Sequence, residues 1–461
     1  MSMCVSPIKI LIAEFIPAFN KGELAILNGI LKSFEILGDV EVAVFSFYPN
    51  VDKSRYPPNV KLVDINYNLR LKDLPFNKSK LYVQFAISFA AFQHFMFMLL
   101  YFILRRNALR VMQKSLWKIY YEYDVYIICT DEVDCVNGSS LRFSPIYICW
   151  LAKLLKKPIV FYANGTNPYT AEIYLWRFHS KKLWRVVAKY LLSIVDLITV
   201  REEHTLRFLS GIIGGKRPIY LTADPAFLLS PVNDKEVNDI MLREGVDKSK
   251  LLIGVSVSYS TLSSFKSKSA LSPATRYKLA VEKLAKFLDI MIERYSSKIV
   301  FIPHSLEPYD YRDDRKVAFD IYSLMSHKEK VKVIVNEYSA EELKGLMGKL
   351  DIFISSRVHA AISAVSMGTP VLVFSSSIDE RPYCILGKIC KLNEWIYNVE
   401  NFDVNELLSL TERLLKASHK LRKELPMRIN YVKDRAMLNG KLLKNLINSY
   451  YLRRKKGTCF L

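Results

Sequence analysis

Short runs of aliphatic and β-branched residues alternate with amphipathic stretches of helical length along most of this chain, and they do so in two sets. The first set runs from Ile8–Ala13 through Val40–Phe45, Asp124–Cys129, Pro158–Tyr162 and Leu197–Val200. The second runs from Leu251–Val257 through Lys298–Ile302, Lys332–Val335, Asp351–Ile354 and Val371–Phe374. Continuous apolar strands separated by helices are what a parallel sheet covered on both faces requires. The expectation is an α/β chain of two Rossmann-like domains, with mostly parallel sheets, facing a cleft. The 461 residues leave room for two or three full cores. The expected divisions are residues 1–212, residues 213–403, and a C-terminal part, 404–461, of helices ending in the basic tail Arg453-Arg454-Lys455-Lys456. The linker composition of Gly211–Pro218 places the first of these boundaries.

Lys and Arg number 66 against 45 Asp and Glu, a formal charge of +21. Such a balance speaks to partners and not to fold. The basic residues are interleaved with apolar helices, and no zinc-finger, RNP-type or basic-zipper pattern occurs, so no nucleic-acid partner is expected. The seven cysteines are odd in number and scattered, without a C-x-x-C pair. That usage fits reduced thiols in a cytoplasmic setting and no metal site. Pro7–Phe15 reads as a buried strand and not as the core of a secretory signal. Leu81–Leu104 differs from the rest, because only Gln84, Ser88, Gln93 and His94 among its 24 residues are plainly polar and Arg105-Arg106 follows. About 20 apolar residues suffice to span a bilayer. Three placements stay open: a buried core helix, a helix lying in the membrane interface with its phenylalanines sunk, and a true span.

Chemistry is expected at Ser356-Arg357-Val358-His359, which follows the apolar run Leu350–Ile354. Open α/β sheets bind ligands at the carboxyl ends of their strands. A guanidinium grips a carboxylate or phosphate with its planar fork, and an imidazole moves a proton near neutral pH. The pair points to an anionic substrate handled by acid/base chemistry.

The motifs also occur in the order of a known family. Asn20-Lys21-Gly22-Glu23 after the first strand, Val200-Arg201-Glu202-Glu203, and Thr222-Ala223-Asp224-Pro225-Ala226-Phe227 come first. Phe301-Ile302-Pro303-His304-Ser305, Ser339–Leu343, Arg357-Val358-His359 and Met367–Val371 follow. In these residues the chain resembles the polysaccharide pyruvyl transferases from about residue 8 to residue 395. The resemblance implies a glycosyltransferase-B-like fold. It also implies transfer of a pyruvyl group from phosphoenolpyruvate to two hydroxyls of a saccharide, giving a cyclic ketal without any cofactor. His359 is then the catalytic residue, and Arg201 and Arg357 each hold one anionic group of the donor. Asn20, Gly22, Glu23, His304 and Arg381 are the remaining candidate site residues.

Plainer roles compete for each of them. Arg357 can cap a carboxylate, His359 can be a satisfied helix N-terminal histidine, and Arg201 can belong to a structural ion pair with its glutamate neighbours. His304 can be an ordinary loop histidine, and Asn20, Gly22 and Glu23 an ordinary helix cap. Two departures from the family pattern stand out. The loop after the third strand of the first set carries Asp131, Glu132 and Asp134 with one glycine, Gly138, where many members are glycine-rich. Arg381 stands where relatives often carry a lysine. The acceptor is expected to be a saccharide, with a lipid-linked one favoured by the positive charge and by segment 81–104, and the chain to work at the inner face of the membrane. The rivals are a nucleotide-sugar glycosyltransferase of the same architecture and a saccharide-binding relative that has lost the reaction.

Overall fold

A computed structural model of the chain describes residues 7–46, 49–64, 96, 99–104, 107, 116–129, 144–165, 181–265, 271–307, 312–376 and 379–457. Two all-parallel sheets form, as the two sets of apolar runs require. The seven-stranded sheet is ordered β3-β2-β1-β4-β5-β6-β7, with β1 Ile8–Phe15, β2 Val40–Ser46, β3 Val60–Asp64, β4 Val125–Ile128, β5 Ile159–Asn164, β6 Leu197–Val200 and β7 Tyr220–Leu221. The six-stranded sheet is ordered β10-β9-β8-β11-β12-β13, with β8 Leu252–Ser256, β9 Lys298–Phe301, β10 Val331–Val333, β11 Ile352–Ser355, β12 Val371–Ser375 and β13 Ile396–Asn398. Ladder pairs such as Ile352↔Ile253 and Phe353↔Gly254 fix the register at the centre of the second sheet. Every residue of β4, β5, β6, β8, β11 and β12 is buried, because helices cover both faces.

Strands β3, β7 and β13 were not among the expected runs, and all three are sheet edges. An edge strand is half solvated and carries no continuous apolar signature, as the mixed burial of Val60–Asp64 and Ile396–Asn398 illustrates.

By internal contacts the chain divides into one unit of residues 1–16, 34–222 and 438–461, and a second of residues 17–33 and 223–437. This corrects the linear divisions at 212 and 403 in two ways. The helix α1, Lys21–Phe34, is followed in sequence by β2 of the first sheet, yet residues 17–33 pack with the second unit. Gly29 explains why, since a Cβ there would lie 1.8 Å from the carbonyl oxygen of Pro225, a contact only glycine permits. The expected C-terminal helices are one 54-residue helix, Val404–Gly457, with Pro426 inside it; its residues up to 437 belong to the second unit and those from 438 to the first.

Of the apolar segment 81–104, residues 81–95, 97 and 98 lie outside the described residues, as does the acidic loop with Asp131, Glu132 and Asp134. Among the described residues no helix is long and apolar enough to cross a membrane. Residues 99–104 are helical. Leu100 and Tyr101 pack on the core of the first unit, while Phe102 and Ile103 are 61% and 66% exposed.

Candidate active site

The strand order of the second sheet reverses between β8 and β11, and at such a switch point the loops leaving the strands diverge and open a crevice. Arg357 and His359 stand there. The Ser356 N–H donates to Ser256 O at 2.8 Å and the Ser258 N–H to Ser356 Oγ at 2.8 Å, so the turn after β11 is tied to the turn after β8. The Arg357 N–H donates to Ser355 Oγ at 3.0 Å. The helix Val358–Ser366 then begins, which puts His359 in its first turn.

Arg357 is gripped on one edge. Its Nε and Nη2 donate to the two carboxylate oxygens of Asp314 at 3.1 and 2.6 Å. Its Nη1 has no partner among the described residues, and the side chain is 26% exposed. A capping role and a ligand role therefore coexist, since a guanidinium carries five N–H donors and the carboxylate takes two. Asp314, 2% exposed, was not singled out by sequence. Besides Arg357 it accepts the backbone N–H groups of His304 and Ser305 at 3.1 and 2.9 Å.

His359 is held on two sides. Its Nε2 lies 3.4 Å from Asp224 Oδ2, without a directed hydrogen bond. A Cβ at position 22 would fall 2.9 Å from both His359 Cβ and Nδ1. Gly22 thus serves the close approach of the imidazole. Asn20 is the helix cap, its Oδ1 accepting the Gly22 N–H at 3.1 Å. Glu23 is partly buried in the first turn of α1, where the helix dipole favours a carboxylate.

His304 is the unusual group. It is 2% exposed, and neither ring nitrogen has a hydrogen-bond partner among the described residues. Buried polar groups are normally paired. Burial, and after it the charges of His359, Arg357 and Lys21, push its pKa down to about 3. The ring is therefore neutral at physiological pH, one nitrogen a donor and the other an acceptor. The loop carrying it is fixed from both sides, because the Lys21 N–H donates to His304 O at 2.9 Å and the Leu306 N–H to Phe19 O at 2.9 Å. Lys21 was passed over in the sequence and is a fully buried ammonium, 2.6 Å from Glu337 Oε1. A lysine in a turn gives no signal of its own; only the packing of α1 against the loop after β9 brings its charge to His304.

An acid-stability consequence follows. In the unfolded chain an imidazole takes a proton near pH 6.5, whereas the folded His304 resists it down to about 3. Below pH 6.5 the unfolded state binds the extra proton, so this group's contribution is intact above 6.5 and is lost as pH falls towards 3, by up to about 1.4 kcal/mol per pH unit. Urea unfolding from pH 7.5 to 4 is expected to give a shallower decline in His304→Phe than in the wild type. Parallel declines would place the acid sensitivity elsewhere.

The remaining candidates, Arg381 and Arg201, each pair with a neighbouring carboxylate. Arg381 pairs in two-point fashion with Asp379, at 2.8 and 2.9 Å, ahead of the π-helical turn Pro382–Ile389. Arg201 belongs to the first unit, is 1% exposed, and pairs with Glu202 at 3.2 Å, as the ion-pair alternative had it.

Two parallel-sheet α/β units define the fold class of glycosyltransferase-B enzymes and nucleotide-sugar epimerases. Sucrose-phosphate synthase from Thermosynechococcus elongatus is similar at a TM-score of 0.55 and 13% identity, over 96% of this chain and 100% of that one. UDP-GlcNAc 2-epimerase from Neisseria meningitidis, bound to UDP-GlcNAc, is similar at 0.53 and 13% identity, over 96% and 100%. Likeness at this identity carries the fold alone. The family comes from sequence: residues 20–378 match the polysaccharide pyruvyl transferase family, and the chain belongs to it. The amylovoran biosynthesis protein AmsJ of Erwinia amylovora is 25% identical over 227 residues, which are 49% of this chain and 50% of that protein. The chain thus spans about half the length of this curated relative.

Proposed function

We propose that the chain transfers the pyruvyl group of phosphoenolpyruvate to two hydroxyls of a saccharide in polysaccharide biosynthesis. The observation that carries this reading is the convergence, within one unit, of Arg357, the imidazole of His359 and the buried ring of His304, with Arg357 Nη1 and both His304 ring nitrogens lacking a partner among the described residues. In the proposed reaction C3 of the enol gains a proton and C2 becomes electrophilic. A sugar hydroxyl then adds to C2 and loses its proton, the bond from C2 to the phosphate oxygen breaks, and phosphate leaves. A second hydroxyl then adds to C2 and closes the ketal, its proton leaving with the phosphate. Arg357 holds one anionic group of the donor. His304 offers a neutral N–H to another donor oxygen, and its second nitrogen accepts from a hydroxyl. His359, 3.4 Å from Asp224 Oδ2, moves the proton.

Thermal unfolding titrated with phosphoenolpyruvate, with phosphate, pyruvate and UDP as controls, tests the reading. A ligand at 100 times its dissociation constant adds about 2.7 kcal/mol of stability. Stabilisation by phosphoenolpyruvate alone is expected. Stabilisation by UDP alone would transfer the reading to glycosyl transfer from a nucleotide sugar, and binding of phosphoenolpyruvate without phosphate release across a broad acceptor set would favour a saccharide-binding relative. Arg201→Ala in the same titration asks for a donor role of that buried ion pair.

A lipid-linked acceptor at the inner membrane face is the second part of the proposal, favoured by the outward Phe102 and Ile103 and by the charge of +21. The full chain is expected to co-sediment with vesicles containing anionic lipid at low salt, and Phe102→Ser with Ile103→Ser to weaken that binding several-fold. Equal recovery of both proteins in the supernatant would remove this part.

A further inference from the structure

We propose that Asp314 is a positioning residue for the donor site, acting through Arg357 and through the loop that carries His304. The inference rests on the proposed use of phosphoenolpyruvate. Four N–H groups converge on this one carboxylate: Arg357 Nε and the His304 and Ser305 backbone amides on Oδ2, and Arg357 Nη2 on Oδ1. The Asp314 N–H returns a bond to Ser305 O at 2.9 Å, closing the loop on itself. Asp314 also opens the helix Asp314–Leu324, whose N-terminal dipole favours a carboxylate.

Arg357 follows β11 and His304 follows β9, and β8 lies between these two strands in the sheet. Their side chains therefore share no strand that could set their spacing. Asp314 supplies the link. Because it occupies the Nε and Nη2 edge of the guanidinium, it leaves Nη1 as the donor for an incoming anion. Because it anchors the backbone at 304 and 305, it fixes where the His304 ring begins. An asparagine of the same shape cannot do this. Its amide nitrogen would face either the Arg357 Nη2 or the three N–H groups on the other oxygen, donor against donor.

The test uses the full chain and its Asp314→Asn, Asp314→Glu and Arg357→Ala variants. Phosphoenolpyruvate affinity is measured by calorimetry, and amide hydrogen exchange is followed at residues 303–306. Asp314→Asn is expected to weaken binding at least tenfold and to speed exchange at 304 and 305. Asp314→Glu, which keeps the charge, is expected to recover part of the affinity. In the Arg357→Ala background Asp314→Asn is expected to cost less than in the wild type, the remainder passing through the loop of His304, a coupling that a purely structural role would not produce. Wild-type affinity in Asp314→Asn, or losses that simply add in the double variant, would overturn the proposal while leaving the donor reading intact. A wild-type chain that binds no phosphoenolpyruvate would remove both.

Discussion

Arg357→Ala is expected to lose phosphoenolpyruvate binding by about 2–5 kcal/mol, since an anionic group of the donor would be left unpaired in a partly buried site. At about 1.4 kcal/mol per tenfold, that is a loss of roughly thirty-fold to several thousand-fold in affinity. The substitution also strips two of the four N–H groups from the buried Asp314 carboxylate, so the free protein is expected to be less stable as well. The titration must therefore be read against each variant's own unliganded melting temperature. Arg357→Lys separates charge from shape: it keeps the positive charge, but an ammonium cannot hold Asp314 on one edge and a ligand on the other in one plane. It is expected to bind more weakly than wild type and better than alanine. Wild-type stabilisation by phosphoenolpyruvate in both variants would show that the donor is held elsewhere.

His359→Ala is expected to keep donor binding within a few-fold and to lower turnover on a verified acceptor by about 10²–10⁴, the usual worth of a positioned acid or base. The split between affinity and turnover separates it from Arg357, which acts in binding. His359→Asn guards against a trivial result, because the space that Gly22 leaves for the ring would otherwise be emptied. If both variants turned over like the wild type, His359 would be a packing residue between Gly22 and Asp224, and the acid/base assignment would fall.

The two predictions differ in how much sequence supports them. Arg357 and His359 were legible because the strand before them and the helix after them have clear periodicity, and strand ends of open sheets are where ligands bind. The interior strands of both sheets were legible for the same reason, whereas β3, β7 and β13 were hidden by their exposure at the edges. Asn20 and Gly22 were visible as a motif: Asn20 caps α1, the plainer of the roles the sequence offered, while Gly22 makes room for an imidazole 337 positions along the chain, which no local signal marked. Nothing local marked Asp314 or Lys21. An aspartate opening a helix and a lysine in a turn are ordinary, and their meaning arises only from which partners they meet.

Sequence by itself therefore determined two parallel sheets, the family, and the strand end that carries Arg357 and His359, because hydrophobic period and short motifs act over a few residues. The tertiary structure decided that α1 belongs with the second unit, that Asp314 holds Arg357 and the loop of His304 together, and that His304 is buried and neutral, with no hydrogen-bond partner among the described residues. Those are outcomes of packing and desolvation between segments that meet only in the fold, and burial is a property of the folded surroundings that no single residue type encodes.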